Sequence, residues 1–304
     1  MSARALIVTD GKAGHENQSR ACARSLGLEA VVMRVEFKSR LHKALSYALD
    51  RIGVATLFPF KPFDVPSGDF AAVIGTGSGT FYAAKALARK TGAKSVAVLY
   101  PRGYRISGFD CVLAPAFDEP AAAANVVELP ANLVAADAAF YAAGVEAFKE
   151  RHAVADGARA VAVIVGGPNK CATLDAEWTR AQLEKVFADN PNAEKWVTTS
   201  RRTPPEVEAV VDSFPFDYKL VYSRDHFNPI PAFVSLAERL YVTAESTGML
   251  SEACTFGRAE VVPLDNLVPG RHKFRRFAET CAAMGAEKFD FTKPFNKAKE
   301  LLCL

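Results

Sequence analysis

The chain alternates short runs of apolar, often β-branched residues with longer stretches in which apolar residues recur at helical spacing. This alternation is typical of strands joined by crossover helices, so it predicts α/β structure with mainly parallel sheets. The first half contains six predicted strands: ALIVTD, AVVMRVEF, FAAVIGT, KSVAVLY, FDCVLAP and NVVELP. The second half contains five: AVAVIVGG, KWVTTS, KLVYS, RLYVTA and AEVVPL. Two predicted helices, NQSRACARSLG and TFYAAKALARKTG, end at Gly27 and Gly92, where a helix-terminating glycine usually stands.

The same pattern predicts two domains of similar build. An alanine-rich helical stretch over residues 134–153 leads into a fresh strand, so the boundary is predicted between residues 152 and 153. This gives an N-terminal α/β domain over 1–152 and a C-terminal α/β domain over 153–285. The last segment, 286–304, is too short and polar for a domain and is expected to pack back on the first one. A chain of 304 residues with 50% hydrophobic content suits two ordinary cores.

Composition excludes several classes of function. The net charge is only +3, which argues against a general nucleic-acid-binding protein. The six cysteines are scattered, with neither a C-x-x-C pair nor metal-ligand spacing, and no D-x-D cluster is present, so no metal or cofactor is predicted. The sequence contains neither a leader pattern nor a run of 18 apolar residues, and a reduced, cytoplasmic protein is expected.

The loop after the first strand, DGKAGHENQS at residues 10–19, concentrates polar chemistry. Glycine allows a tight turn, and a helix starting near residues 16–17 would aim free N–H groups into the loop. Histidine changes charge near neutral pH, and lysine adds a positive charge. The residues concerned are Gly11, Lys12, Gly14 and His15. The loop is interpreted as either part of a binding site or an ordinary turn with solvated side chains, and it lacks the glycine pattern of a Walker loop.

A second glycine-rich turn, GTGSGT at residues 75–80, is not a dinucleotide fingerprint. Thr80 stands where the third glycine would be, and no acidic residue ends the next strand. Two interpretations are open: a plain turn, or a turn that a ligand or a neighbouring loop approaches closely.

Three loops of the second half follow strands in the same way. VGGPNK carries Gly166 and Gly167 at the end of its strand. TTSRRTPP places Ser200, Arg201, Arg202 and Thr203 between a strand and a helix. Adjacent arginines beside a helix N-terminus suit a phosphate-bearing ligand, or they are two exposed arginines on a solvated turn.

The third loop, TAESTGMLSEACTFG at residues 243–257, predicts a capped helix. Ser246 is its candidate N-cap, Thr247 and Gly248 are first-turn residues with bare N–H groups, and Gly257 is the stop. Such a helix start suits a diphosphate. Glu252 lies on the same helix, where a carboxylate can accept hydrogen bonds from two vicinal sugar hydroxyls.

Residues 38–66 begin with a basic amphipathic helix and end in aromatic, proline-rich sequence. The predicted apolar face is Leu41, Ala44, Leu45, Ala48, Leu49 and Ile52, the aromatic tip is Phe58, Phe60 and Phe63, and the flanking charges are Lys38, Arg40, Lys43, Arg51 and Lys61. Apolar residues framed by basic ones predict peripheral contact with a membrane. The alternative is an inserted helix packed on its own domain.

Four motifs together resemble the elongated-mitochondria family of mitochondrial fission proteins. They are TDGKAGHENQ, VGGP, SRRTPPE and VTAESTGMLSEACTFG, in family order from residue 9 to residue 257. That family in turn is similar to the GT-B glycosyltransferases. The resemblance therefore implies two Rossmann-like domains facing a cleft. TGSGT and YPRGYRISGFD match the family only loosely, and Glu245 stands where related sequences often have aspartate.

The resemblance implies roles for the loop residues. Ser246, Thr247 and Gly248 would hold the diphosphate of a nucleotide-sugar donor and Glu252 its ribose. Arg201 and Arg202 would neutralise the leaving nucleoside diphosphate, and Gly166 and Gly167 would let the backbone approach it.

The loop after the first strand would form the acceptor side of the cleft. His15 is the candidate general base, with Asp10 and Glu16 as alternatives. The expected activity is metal-independent, inverting sugar transfer to a lipid-linked or envelope glycan at the inner face of a membrane. The alternative is a non-catalytic scaffold that recruits a partner to a membrane.

Overall fold

The computed structural model describes residues 3–154, 157, 159–270 and 272–304. The chain divides into two compact units. Unit 1 runs to Ala135 and includes Asp290–Leu304, and unit 2 is Ala136–Phe289. Each unit is an α/β domain with one parallel sheet. The predicted fold class of two Rossmann-like parallel-sheet domains is therefore confirmed.

Unit 1 contains a six-stranded parallel sheet in the order β2-β1-β3-β4-β5-β6. Its strands are β1 (Arg4–Thr9), β2 (Glu29–Arg34), β3 (Ala72–Thr76), β4 (Lys94–Val98), β5 (Cys111–Pro115) and β6 (Val126–Leu129). Its α-helices are α1 (Ala13–Leu26), α2 (Arg40–Arg51), α3 (Phe81–Thr91) and, at the end of the chain, α10 (Thr292–Leu302).

Helices cover both faces of this sheet, which is why its central strands are buried from end to end. Cys22 and Leu26 of α1 pack on one face together with Phe295 and Leu302 of α10. Helix α3 packs on the other face. The C-terminal helix thus belongs to the core of unit 1.

Unit 2 contains a five-stranded parallel sheet in the order β11-β10-β7-β8-β9. Its strands are β7 (Ala160–Ile164), β8 (Glu194–Thr198), β9 (Tyr218–Leu220), β10 (Arg239–Thr243) and β11 (Glu260–Leu264). Its α-helices are α4 (Ala138–Lys149), α5 (Ala176–Asp189), α6 (Pro205–Ser213), α7 (Ile230–Leu236), α8 (Thr247–Ala253) and α9 (His272–Met284).

Helix α4 packs within unit 2, although the sequence placed it at the end of the first domain. The side chain of Phe148 is fully buried, with its ring centroid 5.1 Å from that of Trp196 and 4.7 Å from that of Tyr218. The unit boundary therefore falls between Ala135 and Ala136 rather than after residue 152.

Helix α2 turns polar residues inward and apolar residues outward. Ser46 and Asp50 are buried, whereas Leu41 is 81% exposed and Ile52 is 74% exposed. The apolar residues of the outward stripe are Leu41, Ala44, Leu45, Ala48 and Ile52. Leu49 points the other way and packs on the core of unit 1.

The predicted aromatic tip is wrong for two of its three residues. Phe60 is buried and stacks on Phe37 with ring centroids 4.3 Å apart. Phe63 is partly buried in the same apolar cluster. Only Phe58 is exposed, at 59%.

Buried ionic contacts hold α2 in this orientation. The Lys85 ammonium of α3 donates to Asp50 Oδ1 at 2.7 Å and to the Arg105 carbonyl at 2.7 Å. The backbone N–H of Arg105 donates to Asp50 Oδ2 at 2.6 Å. The pair therefore ties α2 and the segment before β5 to α3.

No helix in the described part of the chain is long and apolar enough to cross a membrane.

Candidate functional site

Four of the five loops singled out in the sequence lie where the strand order of a sheet reverses, and the fifth, the arginine loop, follows β8 beside β7. In unit 1 the reversal falls between β1 and β3, and in unit 2 between β7 and β10. Ligands of open parallel sheets bind beyond the carboxyl ends of the strands at such a reversal. These ends are followed by the segments 10–12 and 77–80 in unit 1 and by 165–167 and 244–246 in unit 2.

In unit 1 the structure brings Asp10 and His15 into contact. The imidazole Nδ1 of His15 lies 3.1 Å from Asp10 Oδ1. If Asp10 accepts the Nδ1 proton, Nε2 carries the lone pair, and it has no hydrogen-bond partner among the described residues. Burial would raise the pKa of Asp10, but the hydrogen bond from Lys12 and the charge of His15 outweigh burial and hold that pKa below its ordinary value. The pair is therefore an ionised carboxylate orienting an imidazole.

The other candidates in this loop have different surroundings. The Lys12 ammonium donates to Asp10 Oδ2 at 2.7 Å, and Gly11 adopts a positive φ of 81°, as a tight turn requires. Helix α1 begins at Ala13 rather than near residue 16, so Gly14 is helical and makes no turn. Glu16 pairs with Arg20 on the surface of α1 at 2.9 Å. The structure thus groups Lys12, Asp10 and His15 and leaves Glu16 apart from them.

The second glycine-rich turn packs directly on this pair. A Cβ atom at Gly77 would lie 2.5 Å from Cε1 of His15, and one at Gly79 would lie 2.8 Å from Oδ2 of Asp10. The glycines of GTGSGT therefore let a neighbouring loop approach closely. Between them, Ser78 Oγ accepts a hydrogen bond from the Lys43 ammonium at 3.0 Å. Lys43 thus reaches toward this site rather than flanking the apolar stripe of α2.

In unit 2 a buried carboxylate joins the loops at the reversal. Glu245 accepts hydrogen bonds from the N–H of Gly167 at 2.9 Å and from Asn266 Nδ2 at 3.0 Å. The N–H of Gly166 donates to Thr243 Oγ1 at 2.9 Å. The two glycine N–H groups are therefore occupied within the protein.

Close packing explains why both of these positions are glycine. A Cβ atom at Gly166 would overlap Oε1 of Glu245, and one at Gly167 would lie 2.3 Å from the backbone oxygen of Arg202. In this structure the Glu245 side chain packs against Gly166, and the arginine loop packs against Gly167.

The arginine loop after β8 has a fixed backbone and two outward guanidinium groups. Thr203 Oγ1 accepts from the N–H of Ser200 at 2.8 Å and donates to the Gly166 carbonyl at 2.6 Å. Arg201 and Arg202 are exposed, and neither guanidinium has an acceptor within the described part of the chain. Ser200 and Thr203 thus shape the loop, while Arg201 and Arg202 are available to an anion.

A cavity of 290 Å³ opens beside this loop. It is lined by residues 198–202, by Tyr222 and 226–230 beyond β9, and by Met249 of α8. The rings of Tyr222 and His226 lie 4.7 Å apart between centroids. The cavity therefore combines two cations, aromatic surface and the first turn of a helix.

Helix α8 starts as the sequence predicted. Ser246 Oγ accepts a hydrogen bond from the N–H of Met249 at 3.4 Å, which makes Ser246 the N-cap. The N–H of Gly248 has no acceptor among the residues described, and the space where its Cβ would be is open. Glu252 lies three residues after Met249 and so shares a helix face with a residue that lines the cavity.

Tyr141 of α4 contacts Glu252, a contact that the sequence did not predict. Its hydroxyl donates to Glu252 Oε1 at 2.8 Å. Burial raises the pKa of the Glu252 carboxyl above its ordinary value, and the hydrogen bond from Tyr141 opposes part of that rise.

Sequence reasoning missed further residues of these sites. Lys43, Tyr141, Tyr222 and His226 lie outside the four motifs, and the partners of Lys43 and Tyr141 are 35 and 111 positions away along the chain. Glu245 lies inside the fourth motif, but its hydrogen bond joins it to Gly167, 78 positions away. The one usable signal was that Glu245 stands between the end of a predicted strand and Ser246, the predicted helix N-cap. Over the described residues, no cluster of three or more His, Cys, Asp or Glu side chains could hold a metal ion.

The fold defines a class, the proteins with two Rossmann-like α/β domains. Within it, the chain belongs to the mitochondrial fission ELM1 family, whose sequence model matches residues 13–300. The predicted family is therefore confirmed. None of the curated proteins is significantly similar in sequence.

Three solved structures of low sequence identity are similar to this chain. A putative UDP-N-acetylglucosamine 2-epimerase from Listeria monocytogenes is 9% identical, with a TM-score of 0.55 over 97% of this chain and 94% of that one. The UDP complex of MnaA from S. aureus is 13% identical, with a TM-score of 0.49 over 99% and 88%. MurG from Acinetobacter baumannii is 13% identical, with a TM-score of 0.46 over 99% and 92%. The first of these likenesses supports the fold.

Proposed function

We propose that the protein is a GT-B-like glycosyltransferase that moves a sugar from a nucleoside-diphosphate donor to a lipid-linked or envelope glycan. The observation that carries this proposal is the 290 Å³ cavity of unit 2, in which two arginines without acceptors among the described residues border aromatic surface and the start of α8. The arginines and the start of α8 match the diphosphate of a nucleotide, and the aromatic surface matches its base.

The diphosphate is assigned to the arginine loop and the first turn of α8. Guanidinium groups bind phosphate oxygens through charge-assisted hydrogen bonds, and the N–H of Gly248 adds a donor. The base is assigned to the aromatic surface of Tyr222 and His226. The ribose is assigned to Glu252, which lies three residues after Met249 of the cavity wall on the same helix.

The chemistry is assigned to Asp10 and His15 of unit 1. Nε2 of His15 removes the proton of an acceptor hydroxyl, whose oxygen attacks the anomeric carbon of the donor. The bond from that carbon to the diphosphate oxygen breaks, and its electron pair leaves with the diphosphate. Asp10 stabilises the imidazolium that forms, and the arginines stabilise the departing anion.

Removal of either arginine tests the donor site. Arg201→Ala and Arg202→Ala are expected to have unequal effects, because adjacent side chains on one turn point in different directions. A charge-assisted contact contributes about 1.5–3 kcal/mol. Removal of the arginine that holds the phosphate should therefore lower UDP affinity about tenfold or more. Isothermal titration calorimetry with UDP measures this, since the Listeria protein of similar fold is named for a UDP-linked sugar.

Arg159→Ala is the matched control for both variants. Arg159 precedes β7 and pairs with Glu238, so it lies at the amino ends of the same strands. UDP affinity should be unchanged in this variant. Equal UDP affinity in the wild type, Arg201→Ala and Arg202→Ala would contradict the phosphate assignment.

The outward stripe of α2 supports a second assignment, peripheral contact with an anionic membrane. Five apolar side chains in this region are exposed: Leu41, Leu45, Ile52, Val54 and Phe58. Lys38, Arg40 and Arg51 are exposed beside them, and the Lys38 ammonium lies 4.2 Å from the ring centroid of Phe58. Apolar side chains framed by cations suit insertion below anionic headgroups. A membrane-bound enzyme would meet a lipid-linked acceptor directly.

Replacement of the most exposed apolar residues tests this contact. The triple variant Leu41→Ser, Ile52→Ser and Phe58→Ser should bind vesicles of phosphatidylcholine and phosphatidylglycerol at least about tenfold more weakly than the wild type. Each buried apolar side chain contributes about 1.5–3 kcal/mol, so losing three outweighs the remaining charge attraction. Cosedimentation with the vesicles gives the bound fraction.

The control for this experiment is Phe140→Ser with Leu304→Ser. Both residues are exposed apolar side chains outside the α2 stripe, at 45% and 44% exposure, so vesicle binding should be retained. Unchanged vesicle binding by the triple variant would rule out the α2 contact.

A further inference from the structure

We infer that Tyr141 is a positioning residue, which holds the Glu252 carboxylate ready for a sugar hydroxyl of the bound nucleotide. The inference rests on the proposed function, because it assigns the ribose to Glu252. The residue that it adds comes from α4 and lies 111 positions away in the sequence.

The tyrosine is rigidly placed. Its side chain is 6% exposed, and its ring stacks on Phe256 with centroids 4.7 Å apart and planes 28° apart. Phe140 packs on it edge-to-face at 5.6 Å. The position of the hydroxyl is thus fixed by two aromatic contacts, so its hydrogen bond to Glu252 needs little further ordering.

The two oxygens of the Glu252 carboxylate have different surroundings. Oε1 of Glu252 accepts the Tyr141 hydroxyl at 2.8 Å, and Oε2 has no hydrogen-bond partner in the described portion of the chain. Oε2 is therefore the oxygen presented to a ligand hydroxyl. Burial and the neighbouring Glu252 raise the pKa of Tyr141, so it remains a protonated donor at every physiological pH.

Tyr141 also favours the charged form of Glu252. Burial raises the pKa of this carboxyl, and no lysine or arginine within the described residues forms an ion pair with it. After α9, Lys288 donates to the carbonyls of Ala253 and Ala259, and the thiols of Cys254 and Cys281 are buried nearby. Tyr141 is thus the polar group that contacts the carboxylate.

The test is Tyr141→Phe, which removes the hydroxyl and keeps the ring. A hydrogen bond contributes about 0.5–1.5 kcal/mol, so UDP affinity near neutral pH should fall about 2- to 10-fold. Affinity for 2′,3′-dideoxy-UDP should not change, since that ligand lacks the hydroxyls. Calorimetry should also be run as the pH is lowered from 9 to 5. The ratio of UDP affinity to dideoxy-UDP affinity should begin to fall at a higher pH in the variant than in the wild type. The reason is that Glu252 is protonated at a higher pH in the variant and then no longer accepts the ribose hydrogen bonds as a carboxylate. A merely structural role would weaken both ligands alike at every pH.

Tyr241→Phe is the matched control variant. It deletes a hydroxyl that bonds Asn190 elsewhere in unit 2, and should leave both affinities unchanged. Carbon-13 NMR of labelled glutamate reads the Glu252 titration without ligand and should show a higher pKa in Tyr141→Phe than in the wild type.

The outcomes separate this inference from the proposed function. An unchanged Glu252 titration, or equal losses for UDP and its dideoxy analogue, would overturn the role of Tyr141 while leaving the donor site in place. Absence of UDP binding by the wild type would overturn both.

Discussion

Replacement of His15 by alanine is expected to reduce turnover about 10²–10⁴-fold, the usual loss when a positioned general base is removed. The reason is the geometry at the end of β1, where Asp10 orients the imidazole through Nδ1 at 3.1 Å and leaves Nε2 without a partner among the described residues. The assay is release of nucleoside diphosphate from whichever UDP-, GDP- or ADP-linked sugar binds most tightly. Affinity for that donor should stay within about twofold, because His15 belongs to unit 1 and the donor site to unit 2.

His152→Ala is the matched control for this prediction. His152 forms the same kind of contact, with Nε2 lying 3.2 Å from Glu194 Oε2, but it lies away from the carboxyl ends of the strands. Its loss should leave turnover near the wild-type value. The single variant Asp10→Asn should also lower turnover, as His15→Ala does, since the amide does not stabilise the imidazolium. Near wild-type turnover in His15→Ala would transfer the role of base to Asp10.

Lys85→Met is expected to destabilise the protein by about 3–5 kcal/mol, the typical cost of breaking a buried ion pair from one side. The side chains of Lys85 and Asp50 are 2% and 5% exposed, and the ammonium is the cation that compensates the buried carboxylate. The midpoint of urea unfolding should fall accordingly. Vesicle binding should fall with it, because the same pair keeps the polar side of α2 facing inward.

Lys94→Met provides the comparison within the same unit. Lys94 pairs with Asp110 at 3.4 Å, but the two side chains are 41% and 36% exposed. An exposed pair contributes about 0–1 kcal/mol, so the unfolding midpoint should hardly move. Equal losses in the two variants would contradict the assignment of Lys85 as a buried structural cation.

The strands were predictable because burial on both faces leaves a continuous apolar signature. All eleven predicted strands are present, with their ends shifted by a few residues. Gly27 and Gly92 end α1 and α3 in the left-handed conformation with φ of 79° and 72°, as their positions indicated. Helices α7 and α9 were not predicted.

Long-range contacts account for what the sequence did not reveal. The polar residues of α2 face inward because Asp50 meets Lys85, which lies 35 positions away, and Phe60 is buried because Phe37 stacks on it. A helical pattern alone assigns the apolar stripe to the core. The glycines of GTGSGT left two interpretations open until His15 and Asp10 were placed against them.

The candidate site was predictable as a set of loops but not as a set of contacts. Parallel strands bring their carboxyl ends to one edge of a sheet, so the segments 200–203 and 246–252 of unit 2 could be grouped by rule. The rule does not predict that Glu245 accepts a hydrogen bond from the N–H of Gly167. Nor does it predict that the Tyr141 hydroxyl donates to one oxygen of Glu252. Such details depend on packing between segments far apart in the chain.

The central claim is that unit 2 binds a nucleoside diphosphate, and calorimetry of the wild-type protein with UDP, GDP and ADP tests it most directly. The proposed function predicts saturable binding of at least one diphosphate, weakened in either Arg201→Ala or Arg202→Ala and unaffected in Arg159→Ala. Absence of binding by every nucleotide and by the corresponding nucleotide sugars would contradict the claim and favour a non-catalytic scaffold.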